Sequence, residues 1–229
     1  MTTRLVEVRR NILKENDLLA RELRQRFTAG GVYVISLVSS PGSGKTAFLE
    51  RLLTELRRDF RVAALVGDLA TDNDAARLAR SGAEVKQITT GTVCHLDARM
   101  VANALTNWRL DDLDFLFIEN VGNLVCPASY DLGESLRLVL LSVAEGEDKP
   151  LKYPTIFNTA DVAVITKLDV AAALEVDLAA IHANIQAVRP GMRVVQVSVK
   201  TGEGMQDCLA FFRAQRERAF FRPRAEAAG

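Results

Sequence analysis

The segment Ser39-Ser40-Pro41-Gly42-Ser43-Gly44-Lys45-Thr46 has the residue types and spacing to hold the phosphates of a nucleotide. Glycines at 42 and 44 allow backbone N–H groups to curl around phosphate oxygens, and a helix opening behind them adds its positive end. Lys45 would reach the β- and γ-phosphates, and the Thr46 hydroxyl would ligate Mg²⁺. Pro41, Ser43 and Ala47 belong to the same loop and helix start, so they join the nucleotide-binding set. The loop opens on Ser39, where such loops usually open on Gly. The bland alternative is a Gly/Ser connector; the apolar run before it and the helical pattern after it favour the phosphate loop.

Mg²⁺ beside phosphates calls for carboxylates at the ends of neighbouring strands. Three positions qualify. Asp68 follows the apolar run Val62 to Val66, Asp74 lies in the next turn, and Glu119 closes the run Phe115 to Ile118. Gly122 stands three residues past Glu119, where a backbone N–H can meet a γ-phosphate and the loop can change shape when that phosphate leaves. Each acid alone also fits a solvated turn or a helix cap. With Lys45 and Thr46, these three acids form the expected catalytic and magnesium set.

Thr166-Lys167-Leu168-Asp169 follows another apolar run and is similar to the guanine-reading Asn-Lys-x-Asp sequence, with Thr in place of Asn. The Asp169 carboxylate would accept from the guanine N1–H and amine, a donor pair that adenine lacks. The Lys167 stem would cover the base. Downstream, Ser198-Val199-Lys200-Thr201-Gly202 is similar to the second guanine loop, which adds Val199 and Lys200 to the base-binding set. Asn normally ties the first loop to the phosphate loop, so guanine preference is expected to survive at Thr166 with lower affinity. A chance polar strand end is the competing reading.

Cys94, His95 and Cys126 bring soft thiolates and an imidazole, which suit Zn²⁺, Ni²⁺ or Cu⁺ better than Mg²⁺ or Ca²⁺. No CxxC or HxxxH spacing supports them, and buried Cys or loop His residues are common without a metal. Two points favour the metal. Both cysteines follow predicted strands by a few residues, and Cys126 shares a segment with Glu119 and Gly122, so a nucleotide-driven shift would move a ligand. One chain supplies three ligands; a twofold dimer would double them. Cys208 falls in the last predicted helix and reads as a core thiol.

These residues need a scaffold that gathers strand ends along one edge. Candidate strands at Tyr33–Val38, Val62–Val66, Val85–Ile88, Phe115–Ile118, Leu136–Val143, Val162–Ile165 and Val194–Val197, most of them apolar runs, alternate with helical periods. That pattern predicts an α/β P-loop fold, a largely parallel sheet with helices on both faces. The segment 4–27 reads as a polar-rich helix with Leu5, Val8, Ile12, Leu19 and Leu23 near one stripe. The expected organisation is an N-terminal helical arm over 1–31, a nucleotide-binding domain over 32–221 and a disordered tail over 222–229. Lys plus Arg and Asp plus Glu are 29 each, a balance that argues against nucleic acid as a partner. No apolar run reaches the roughly 18 residues of a membrane span, and three cysteines fit reduced thiols in the cytoplasm.

Taken together, Ser39 to Thr46, Gly67-Asp68, Asp74, Thr90 to Ala98, Glu119 to Pro127, Lys149 to Pro154 and Thr166 to Asp169 resemble the hydrogenase/urease nickel incorporation GTPases, the HypB family of the SIMIBI class. The resemblance covers about Val32 to Phe221. It implies GTP and Mg²⁺ as ligands, dimerisation linked to GTP, and a Ni²⁺ or Zn²⁺ site at the dimer interface from Cys94, His95 and Cys126. It further implies delivery of nickel to the large-subunit precursor of [NiFe]-hydrogenase with a partner metallochaperone. The chain has only His95 and His182 and no His-rich or Cys-rich N-terminal stretch, so the GTPase-linked site alone is expected, without metal storage. No Gln or Arg finger is evident, which predicts a low intrinsic rate. The rival readings are an accessory GTPase for urease or another metalloenzyme, a small-molecule kinase, and a structural zinc dimer.

Overall fold

Strands buried on both faces need apolar residues at consecutive positions, and such runs form the inside of a seven-stranded sheet whose edges are more polar. The strands are β1 (Tyr33–Ser39), β2 (Val62–Asp68), β3 (Glu84–Thr89), β4 (Phe115–Glu119), β5 (Leu136–Ser142), β6 (Val162–Thr166) and β7 (Arg193–Gln196). Every residue of β1, β4, β5 and β6 is buried, whereas β3, at the sheet edge, has no fully buried residue. The order is β3-β2-β4-β1-β5-β6-β7, and every neighbouring pair is parallel. The computed structural model describes residues 2–69 and 73–221. The expected tail at 222–229 lies outside them.

The helices are α1 (Thr2–Gly30), α2 (Lys45–Leu56), α3 (Asn73–Ala79), α4 (Ala98–Ala104), α5 (Lys149–Lys152), α6 (Pro154–Thr159), α7 (Leu178–Val188) and α8 (Met205–Phe220). Alternation along β1 divides the core. Ile35 and Leu37 meet Phe48 and Leu52 of α2 and Phe212 of α8. Val34 turns to the other face, with Leu23 and Phe27 of α1 and Val101 of α4. Val38 joins a third cluster that includes Phe157 of α6 and Ile181 of α7. Cys208 is fully buried in the first cluster, as the sequence reading expected.

The inward stripe of α1 differs from the one read from sequence. Asn16, Ala20, Leu23 and Phe27 are buried, Leu19 is half-buried and Ile12 is half exposed. The sequence reading followed the large aliphatics, but a polar Asn16 occupies the inner row because it has two backbone partners there. Its Nδ2 donates to the Asp131 carbonyl at 2.9 Å, and its Oδ1 accepts from the Ala98 N–H at 2.9 Å. The short helices α5 and α6 were not anticipated. Pro150 and Pro154 start them, at positions where a missing N–H does no harm.

β1 lies between β4 and β5, near the point where the chain stops adding strands on one side and begins on the other. Crevices at the carboxyl ends of strands around such a switch point are where open parallel sheets bind ligands.

Candidate nucleotide and metal site

The phosphate loop connects β1 to α2 at that switch point. Gly42 and Gly44 both adopt positive φ, 75° and 89°, a region that side-chain-bearing residues enter with strain. Lys45 and Thr46 converge on one oxygen of Glu119. Lys45 Nζ lies 3.1 Å from Glu119 Oε1, and the Thr46 hydroxyl donates to the same oxygen at 2.7 Å. Glu119 is 1 % exposed, and its Oε2 is buried without a hydrogen-bond partner. A buried carboxylate oxygen left unpaired is costly, so the position fits a bound cation beside Thr46.

Asp68 ends β2, two residues beyond Val66, which is paired with Glu119 across the sheet. Its Oδ1 accepts from the Leu69 N–H at 2.5 Å. Asp74 sits in the first turn of α3, and no hydrogen bond or ion pair joins it to the phosphate loop among the described residues. Gly122 lies hard against the loop: a Cβ there would stand 3.0 Å from Pro41 Cα.

The second loop closes over the first. The Thr166 hydroxyl donates to the Ser43 carbonyl at 2.6 Å, so Thr supplies the tie for which Asn is usual. Lys167 adopts φ 61° and its Nζ donates to the Gly42 carbonyl at 2.7 Å. Asp169 Oδ1 accepts from Ser198 Oγ at 2.7 Å. Between these loops lies a cavity of about 340 Å³ bordered by Gly44, Ala47, Thr166, Lys167, Asp169, Val199 and Lys200, all residues expected from sequence. Arg77 of α3 completes the wall, with its Nε donating to Glu50 of α2 at 2.8 Å. Arg77 stands in no motif, so sequence offered no signal for it. A larger cavity of about 420 Å³ under α1 is bordered by Arg24, Asp131, Glu134 and Arg137, but these charges pair with one another.

The third constellation also assembles. One ligand atom each from Cys94, His95 and Cys126 lies within 4.8 Å of the others, and the two Sγ atoms are 2.8 Å apart. His95 Nδ1 is buried with no hydrogen-bond partner. The imidazole stacks on Tyr130 at 3.9 Å between ring centroids. Burial pushes its pKa below the usual value, with Asp97 opposing, so the ring is neutral at pH 7 and its nitrogen is available to a metal. Two sulfurs and an unpaired imidazole nitrogen fit a borderline or soft cation such as Zn²⁺ or Ni²⁺.

Several residues that hold this cluster were not singled out from sequence. Asn120 Oδ1 accepts from the N–H of Leu96 and of Val121, each at 2.9 Å. Asn123 Nδ2 donates to the Cys94 carbonyl at 3.4 Å. Leu96 fills a notch at Gly67, where a Cβ would stand 2.7 Å from Leu96 Cγ. Asp97 caps α4 by accepting from Met100 N–H at 2.8 Å. Apart from the Asp97 cap and the Asn120–Val121 bond, these contacts join positions distant in the chain, beyond the reach of local pattern.

A phosphate loop at the switch point of a parallel sheet, with an acidic strand end on its Lys and Thr, defines a P-loop nucleoside triphosphatase. A family model described as CobW/HypB/UreG, nucleotide-binding domain, matches residues 33–196. The hydrogenase maturation factor HypB of Azotobacter vinelandii is 49% identical over 216 residues, covering 93% of this chain and 71% of the relative. The hydrogenase/urease maturation factor HypB of Helicobacter pylori strain 26695 is 42% identical, covering 90% of this chain and 86% of the relative. A crystal structure of HypB from Helicobacter pylori in complex with nickel superposes with a TM-score of 0.84 at 41% identity, covering 89% of this chain and 96% of that one. The chain belongs to the HypB family of P-loop GTPases.

Proposed function

We propose that this chain is a GTP-hydrolysing nickel carrier for maturation of [NiFe]-hydrogenase, with nucleotide state controlling both metal affinity and dimerisation. The observation that carries the reading is one short segment with two contacts. Glu119 touches Lys45 and Thr46, and seven residues later Cys126 joins Cys94 and His95. Hydrogenase maturation follows the printed function of the Azotobacter relative, and nickel follows the Helicobacter structure.

In this reading Pro41, Gly42, Ser43, Gly44, Lys45, Thr46 and Ala47 hold the phosphates, and Gly122 meets the γ-phosphate. Thr166, Lys167, Asp169, Val199 and Lys200 hold guanine. Mg²⁺, held by Thr46 with Asp68, Asp74 and Glu119, would neutralise charge on the departing phosphate. Lys45 leaves Glu119 for the phosphates when GTP binds, which frees the carboxylate to turn toward the cation. Loss of the γ-phosphate releases Gly122, and the resulting shift along 119–126 alters the thiol pair and lowers affinity for Ni²⁺ or Zn²⁺. Because one chain offers three ligands, the site is completed across a homodimer. The precursor of the hydrogenase large subunit and a partner metallochaperone receive or pass on the metal in the cytoplasm. The balanced charge supports no nucleic-acid partner, and no helix among the described residues is long and apolar enough to cross a membrane.

Service to urease is a second reading, favoured by the printed function of the Helicobacter relative. Titration of Ni²⁺ and Zn²⁺ into the protein with GDP and with a non-hydrolysable GTP analogue tests the switch, with Cys94→Ala as control. Nucleotide-dependent affinity that the control abolishes supports it. Equal affinity in both states removes the delivery role and leaves a GTPase with structural thiols.

A further inference from the structure

We propose that Asn120 is the positioning residue that transmits nucleotide state to the metal ligands, through one side-chain oxygen shared between two loops. The proposal rests on the nucleotide-linked metal reading above and assigns the residue that makes the link. Asn120 directly follows Glu119 and is 1 % exposed. Its backbone N–H donates to the Leu37 carbonyl at 3.0 Å, which anchors it to β1 two residues before the phosphate loop begins. Its Oδ1 takes both Val121 N–H and Leu96 N–H, each at 2.9 Å. Val121 leads into Gly122, which lies against Pro41, and Leu96 directly follows His95. One buried oxygen therefore joins the segment facing the phosphates to the segment carrying two of the three metal ligands.

The linkage is stiff at each end. Leu96 is fully buried in the notch at Gly67, beside Asp68. Asn123, on the same segment as Asn120, adds a second tie to the Cys94 carbonyl at 3.4 Å. Gly122 packs against Pro41 of the phosphate loop, so a γ-phosphate that draws in the Gly122 N–H pulls on Val121 and on the Asn120 oxygen that holds it. When Asn120 moves, its oxygen must either carry the Leu96 N–H with it or leave that N–H unpaired in a buried place, which is disfavoured. Carrying Leu96 along shifts His95 and Cys94 relative to Cys126. Two discrete positions of the 120–122 segment thus become two arrangements of the ligands, the kind of two-state element that coupling requires.

The test measures the Zn²⁺ dissociation constant of the full chain with GDP and with a non-hydrolysable GTP analogue, in wild type and in Asn120→Ala. Wild type is expected to differ by about tenfold or more between the two states, within the usual range of coupling between sites. Asn120→Ala is expected to bring that ratio to within about twofold of unity while GDP affinity stays within a few-fold of wild type. A variant that keeps the wild-type ratio overturns the role of Asn120. A wild-type ratio of one overturns the underlying switch instead, so the two failures are distinct. Should Asn120→Ala not fold, amide hydrogen exchange on wild type decides. Leu96 and Val121 amides changing together between nucleotide states supports the link, and a change at Val121 with none at Leu96 overturns it.

Discussion

The hydroxyl of Thr166 donates a 2.6 Å hydrogen bond to the carbonyl oxygen of Ser43, joining the loop below the base pocket to the phosphate loop. Thr166 is 2 % exposed, so water cannot substitute for the bond. Thr166→Val keeps the shape and removes the donor, leaving a buried carbonyl unpaired. Such a loss costs about 1–2 kcal/mol, or roughly tenfold in affinity. GDP binding, followed with a fluorescent analogue, is expected to weaken by up to about that factor, and the melting temperature of the nucleotide-free protein to fall by a few degrees. Unchanged affinity would show that Lys167, whose Nζ reaches the Gly42 carbonyl, suffices to join the loops.

Glu119 holds a second relationship, with the two polar residues at the start of α2. Its Oε1 is shared by Lys45 and Thr46 while its Oε2 is buried and unpaired. Glu119→Gln keeps volume but removes the charge that pairs with Lys45 and would hold Mg²⁺. GTP turnover is expected to fall by about a hundredfold or more, the scale of losing one preorganised electrostatic group. GDP affinity in the absence of Mg²⁺ should hold or rise, because Lys45 no longer has a carboxylate to leave. Phosphate release and nucleotide titration, run in parallel, separate the two effects. A variant with wild-type turnover would remove Glu119 from the machinery.

The inner strands were legible because fully buried parallel strands must be apolar at consecutive positions, and the edge strand β3, Glu84–Thr89, was legible only by its place between helical segments. The phosphate loop and the base pocket were legible because backbone conformation and hydrogen-bond chemistry demand particular residues at fixed local spacing. The inner row of α1 was not. Asn16 faces inward for partners 82 and 115 residues away, and a local hydrophobic pattern has no term for that. Arg77 and Tyr130 were hidden for the same reason, and for Asn120, which lies in the family segment 119–127, the contact was hidden though the residue was in view. Each owes its place at the site to a neighbour brought by the fold: Arg77 to Glu50 on α2, Asn120 to Leu96, and Tyr130 to the His95 ring.

Cys208 offers a contrast in thiol chemistry. Burial among the residues of α2 and α8 pushes its pKa from 9.0 up to about 12. Only thiolates alkylate, so iodoacetamide at neutral pH should label the half-buried Cys94 and Cys126 and spare Cys208 until denaturant is added. Peptide mass spectrometry reads the pattern; native labelling of Cys208 would show that the α8 face opens. The same shift has a stability consequence. A thiol whose folded pKa is raised retains its proton while the unfolded thiol loses it, so stability is intact below pH 9 and declines as pH rises toward 12. Tyr33, raised from 10.0 to about 12 chiefly by burial, acts in the same direction. Cys208→Ala is therefore expected to flatten part of the alkaline limb, with the share of Tyr33 remaining.

The His95 ring stacks on Tyr130 with its buried Nδ1 unpaired. Burial lowers its pKa from 6.5, with Asp97 opposing. Below pH 6.5 the unfolded chain takes up a proton that the folded ring resists, so the metal-free protein loses stability as pH falls through the folded pKa. His95→Phe retains the stack on Tyr130 and removes both the titration and the ligand nitrogen. Metal-free His95→Phe is expected to melt at least as high as wild type at pH 7, and to lose less on acidification to pH 5. Zn²⁺ should raise the melting temperature of wild type, by mass action on the folded state, and have little effect on the variant. A variant that Zn²⁺ still stabilises fully would leave the two thiols as the whole site on this chain, and the unpaired Nδ1 of His95 would need another explanation.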